Sequence, residues 1–332
     1  MKTVKAVAQE NFFTIVKNRV LYIDLLKAFA IYLVIWGHAI LHFQPNYDKS
    51  ICFNIINSFH MPLFMMLSGY FATSSMALSG KEIASKKIRQ LLLPCFSWGI
   101  LCWFFISSGL IEGRFSLEIG ELFTGWLGLI DNFWFLKSCF ICYMLAWICK
   151  KAVKFQYIAV ACTWLICSIQ GHFQLSMMFP SFVFGMMLRE NTAIDKNLYR
   201  FRWLICALFL VLMIYKICLD DNLYIVRLAL GISGAYICYS LFRDGDNILK
   251  CQHKPSILYR VGEKTLGIYI IQAITLEYLL PRYIHIDNLP ITLIVIILPI
   301  SSILLLLIYY GMCNIIYKSK MLAFLMFGVK CK

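Results

Sequence analysis

The stretch that most limits what this chain can become is Leu21 to Phe43, LYIDLLKAFAIYLVIWGHAILHF. It is apolar and long enough to cross a bilayer, yet it carries Asp24, Lys27, His38 and His42. Ionisable groups are expensive in hydrocarbon, so they turn toward a protein interior and mark function. At about 100° per residue, the eleven steps from Lys27 to His38 return to within about 20° of the same face. Asp24 lies about 60° from Lys27 and about 40° from His38. The spacing predicts one inward polar seam on an otherwise apolar helix. A rise of about 1.5 Å per residue sets Lys27 and His38 about 16 Å apart, roughly half the hydrocarbon thickness, so a site on this seam can be reached from both sides.

The rest of the chain agrees with a membrane setting. It is 332 residues long, 61% hydrophobic and only 14% charged, whereas soluble domains sit near a half and a quarter. The fold class is therefore all-α, a polytopic membrane protein. Apolar blocks of about twenty residues predict about ten transmembrane helices. They start near Leu21, Phe53, Leu92, Asn132, Tyr157, Leu175, Trp203, Leu223, Thr265 and Leu289. The fifth and sixth are split only by Ile169 to Gln174, and Pro180 interrupts the sixth, so one long broken helix is the alternative there.

Of the 31 Lys and Arg, only Lys49, Arg114 and Arg282 fall on the far side of this ten-span arrangement, and four more lie within spans. Both termini are thus expected in the cytoplasm, with the chain in the cell (inner) membrane. Residues 1–20 form a cytoplasmic segment, 21–317 the membrane domain and 318–332 a cytoplasmic tail. The first span is expected to stay uncleaved, since it is too long for a signal peptide and lacks a small-residue cleavage site. The net charge of +14 follows from topology and attraction to anionic lipid. Nothing interleaves base-stacking aromatics with a basic soluble face, which excludes nucleic acid as the expected partner. The fourteen Cys are scattered, and the Cys139–Cys142 pair has neither a second pair nor a nearby His, so no metal is expected.

Chemistry concentrates in a few segments. The second span opens with NSFHMPLFMMLSGYF, whose His60 enters at the depth where His38 leaves. Pro62 then falls in a first helical turn, and Ser68-Gly69 predicts close packing of the first two spans. Behind it, KEIASKKIRQLLLP gathers Lys81, Lys86, Lys87 and Arg89 at the cytoplasmic surface, either as topological anchors or as a dock for the phosphates of a ligand such as coenzyme A. The other intramembrane polar residues are Lys137, Arg227, Gln272 and Glu277. Lys137 and Arg227 either snorkel or, facing inward, receive an anionic acceptor such as the phosphate of a lipid-linked sugar, with Trp134 beside Lys137 as a surface for a sugar ring. Lys216, next to Asp220 and Asp221, reads most simply as an edge anchor.

In order along the chain, YIDLLKAFAIYLVIWGHA, FHMPLFMMLSGYF, KIRQLLLPCFSW, NFWFLKSCF and GEKTLGIYIIQ resemble the acyltransferase-3 family of integral-membrane acyltransferases. The resemblance implies about ten helices, acyl-CoA as co-substrate on the cytoplasmic side with no bound cofactor, and O-acylation of a sugar or lipid-linked glycan of the envelope. It also implies an essential first-span His, here His38. The family commonly has Arg eleven residues earlier, where Lys27 stands, and its late motif often ends in His, where Gln272 stands.

The residues themselves support the same chemistry. Acyl transfer from a thioester to a hydroxyl needs a base and donors for the oxyanion. His38 suits the base and His60 an orienting or donating role. The site so read comprises His38, His60 and Lys27 for catalysis, Arg89, Lys86 and Lys87 for the donor, and Asp24, Trp134, Lys137 and Arg227 for the acceptor. Two other classes stay open on these residues. One is a proton-coupled transporter or flippase with a relay through Asp24, Lys27, His38, His60 and Glu277. The other is a scaffold in which the His pair only tightens packing.

Overall fold

A computed structural model describes residues 21–108, 133–151, 160–165, 173–219, 223–249, 257–284 and 291–329. Among them every element is helical, in the order α1 (Leu21–Phe43), α2 (Ile51–Ala72), α3 (Gly80–Lys87), α4 (Leu93–Ser107), α5 (Trp134–Lys151), α6 (Phe173–Glu190), α7 (Thr192–Arg200), α8 (Arg202–Leu219), α9 (Tyr224–Leu249), α10 (Ile257–Glu263), α11 (Thr265–Ile274), α12 (Leu280–Tyr283), α13 (Ile291–Ile316) and α14 (Lys320–Phe327). Six helical stretches among these residues are long and apolar enough to cross a membrane: Leu21–Phe43, Ile51–Ser75, Gly80–Phe105, Arg202–Leu219, Tyr224–Gly245 and Thr292–Ile316. The chain is a membrane protein.

The predicted start at Leu92 falls inside a longer helical run, because α3 passes into α4 through a π turn at Ile88–Leu92. A full capping box at Ser79 and Glu82 fixes where that run begins. The predicted start at Tyr157 lies outside the described residues, of which 160–165 are helical.

Two prolines sit differently from what their sequence positions implied. α2 begins at Ile51, so Pro62 stands in the helix interior and not in its first turn. α6 runs unbroken through Pro180. Proline there removes the helical donor to the Ser176 carbonyl. That carbonyl instead accepts from Trp164 Nε1 (3.2 Å) and the Tyr224 hydroxyl (2.8 Å), which ties α6 to α9.

The closest helix pair is α2 with α6. A Cβ on Gly69 would stand 1.8 Å from the Phe182 carbonyl oxygen, and one on Gly185 would stand 1.9 Å from that of Met66. Only glycine lets the two backbones meet this way. Gly69 therefore serves the α2–α6 contact, while α1 and α2 meet near Gly37 and Ile56. At the centre lie α1 and α11, in which every residue from Gly267 to Ile274 is buried. α8 buries only Met213 and leaves Trp203, Leu204, Val211 and Ile214 more than 60% exposed, as a helix against lipid requires.

Candidate active site

α1 contributes His38 and His42 one turn apart on one face, with their rings roughly parallel. Opposite them stands Glu277. His38 Nδ1 lies 2.7 Å from its Oε1, and His42 Nε2 lies 3.1 Å from its Oε2. These are short nitrogen–oxygen contacts whose angles fall outside those of in-line hydrogen bonds.

Glu277 reaches this position because the helix after α11 widens into a π turn at Thr275–Leu279. On an ideal α-helix, five residues at about 100° each would set Gln272 and Glu277 about 140° apart. The wide turn brings both onto one cavity, a placement π turns often serve at functional sites. The Thr275 hydroxyl anchors the turn, lying 3.0 Å from the Ile271 carbonyl oxygen and 2.5 Å from the Tyr309 hydroxyl of α13.

The cavity, of about 350 Å³, is lined by His38, His60, Gln272 and Glu277 together with Asn57, Trp134, Tyr269 and several apolar groups. His60 is buried, and its Nδ1 lies 2.8 Å from the Ile56 carbonyl oxygen. A carbonyl only accepts, so Nδ1 carries the proton and Nε2 of the neutral ring is an acceptor. Gln272 is fully buried, and its amide has no hydrogen-bond partner among the described residues. The His38, His42 and Glu277 donor atoms lie within 4.8 Å of one another, a set that a divalent ion such as zinc could use.

The other sequence-predicted residues fall elsewhere. Asp24 and Lys27 pair at 3.4 Å near the start of α1, where Lys27 Nζ also sits 4.2 Å above the Phe71 ring. A Cβ on Gly262 of α10 would stand 2.0 Å from the Asp24 carbonyl oxygen, so α10 seals that end. Lys87 is turned inward, with Nζ 3.6 Å from the centre of the Tyr143 ring. Lys86 is half-buried, and Arg89 lies on the π turn with its Nε buried and without a hydrogen-bond partner among the described residues. Trp134 lines the cavity and Lys137 does not. A second cavity beside the first takes Arg227 and also Lys216, which the sequence read as an edge anchor.

The sequence model of the acyltransferase-3 family, described as an acyltransferase domain, matches residues 20–310. The chain belongs to this family. Curated relatives include Nodulation protein NolL of Mesorhizobium japonicum, 29% identical over 206 residues, which covers 58% of this chain and 54% of the relative. Nodulation protein NolL of Sinorhizobium fredii is 30% identical over 164 residues, which covers 46% of this chain and 40% of the relative. The chain thus spans about half the length of the curated relatives it matches. No solved structure matches it. The family membership covers α1 to most of α13, and so includes every residue of the His38 cavity.

Proposed function

We propose that the protein is a multi-pass O-acyltransferase, most simply an O-acetyltransferase, moving an acyl group from cytoplasmic acyl-CoA to a hydroxyl of an envelope polysaccharide or lipid-linked sugar. The observation that carries this reading is His38, set between the Glu277 carboxylate and an open cavity in a chain of the acyltransferase-3 family. Facing a carboxylate, Nδ1 keeps the proton and Nε2 is the basic nitrogen. Glu277 is then a positioning residue, and it stabilises the imidazolium formed as His38 takes the acceptor's hydroxyl proton. The acceptor oxygen attacks the thioester carbonyl, and the oxyanion draws on the Gln272 amide N–H. Collapse expels the thiolate, which recovers the proton from His38 and leaves as free coenzyme A. His60, with Nε2 as acceptor, orients the acceptor hydroxyl.

The membrane arrangement belongs to the same proposal. Ten spans would put both termini in the cytoplasm of the cell membrane, with Lys86, Lys87 and Arg89 on the donor side and His38 in the outer half. Arg89 is the best placed to meet a phosphate, since Lys87 is engaged by Tyr143. Radiolabelled acetyl-CoA given to membranes with and without the protein tests the reaction class. Protein-dependent label in the glycan or lipid fraction is the expected result, and equal label in both preparations would refute it.

A further inference from the structure

The second cavity, of about 280 Å³, adjoins the first and shares Asn57, Met61 and Trp134 with it. Two cations line it: Lys216, near the end of α8, and Arg227, in the first turn of α9. Lys216 lies three residues past Met213, the single buried residue of the otherwise lipid-facing α8. It therefore occupies the protein-facing stripe of that helix. Arg227 is set from both sides along α9. Tyr224, three residues before it, donates to the Ser176 carbonyl at 2.8 Å. Gly231, one turn after it, meets α2 so closely that a Cβ would stand 2.8 Å from Pro62 Cγ.

An anion entering a cavity lined by two cationic side chains is drawn by both charges, with less screening than in bulk water. Both side chains donate charge-assisted hydrogen bonds, and Arg227 can do so with a planar fork. Trp134 lines both cavities, so its aromatic ring is within reach of a sugar spanning them. We infer that this cavity binds the acid group, phosphate or carboxylate, of a sugar acceptor whose hydroxyl is acylated in the adjoining His38 cavity. The inference rests on the acyltransfer reading above.

The test is direct binding without acyl donor, so that loss of chemistry at His38 cannot imitate its failure. The full-length protein in phosphatidylcholine nanodiscs is titrated with glucose 1-phosphate, glucuronate and glucose by microscale thermophoresis. The acidic sugars are expected to bind about tenfold tighter than glucose or better. Lys216→Gln and Arg227→Gln each remove most of that preference, while the charge-keeping Lys216→Arg and Arg227→Lys retain it and control for folding. Equal affinity for acidic and neutral sugars, or a preference that survives the double glutamine variant, overturns the proposal. Weaker glucose 1-phosphate binding in phosphatidylglycerol nanodiscs, seen in wild type and absent in Arg227→Gln, would assign the cavity to a lipid headgroup and overturn it as well. Unchanged binding there supports the sugar assignment.

Discussion

A histidine serves as a base only when one ring nitrogen holds a proton and the other does not, and in the proposed reaction His38 owes that division to Glu277, 2.7 Å from its Nδ1. Glu277→Gln keeps the volume but lets its amide donate to Nδ1, which moves the proton to Nε2. The expected loss in kcat is on the order of 10²- to 10⁴-fold with little change in KM for acetyl-CoA, measured by label transfer from folded, purified protein. Equal losses in both parameters would point to a different role. Gln272→Leu separates function from packing. It replaces a fully buried amide that has no partner among the described residues, so melting should stay level or rise while transfer falls about 10- to 100-fold. A metal at His38, His42 and Glu277 would make transfer sensitive to o-phenanthroline. The dyad described above predicts that transfer survives the chelator.

Helix contacts decide which of these residues meet. Gly69 and Gly185 set α2 against α6 backbone to backbone. Alanine at either position should lower the melting temperature in detergent by the equivalent of about 1–3 kcal/mol or more, because neither carbonyl can withdraw. Gly311→Ala, whose Cβ would meet nothing within 4 Å, should be neutral or mildly stabilising. Much of this level was legible in the sequence. Periodicity put Asp24, Lys27 and His38 on one seam of α1, chain order set His60 against His38, with which it lines one cavity, and Ser68-Gly69 marked a close helix contact. Gly69's partner did not follow, because a small residue marks a close approach without saying to which helix. Glu277 was visible as an intramembrane carboxylate, yet a constant 100° step would set it on another face from Gln272, and no residue signal announces the π turn on which it lies. Lys216 was masked in the same way, since a cation near a helix end looks alike whether it snorkels or faces a cavity.

At the scale of the whole molecule, the proposed reaction needs the basic turn at Arg89 and the His38 cavity to work across one membrane domain. α14 closes the end where Arg89 lies, through Trp98 Nε1 donating to the Met326 carbonyl (2.9 Å) and stacking of Tyr317 on Phe327. Gly328, at φ 64°, ends that helix against the Arg89 carbonyl, which a Cβ would approach to 2.0 Å. Gly328→Val should therefore loosen α14 and raise KM for acetyl-CoA several-fold while leaving kcat within about twofold. The proposed topology predicts fluorescence from green fluorescent protein fused at either terminus. The central claim, that His38 is the base of an acyl transfer, is tested most directly by following radiolabelled acetyl from acetyl-CoA into the lipid and glycan fractions of membranes carrying wild type or His38→Ala at matched abundance. Label that accumulates with wild type and falls to background with the variant is the result predicted here, and equal labelling by a well-folded His38→Ala protein would contradict it.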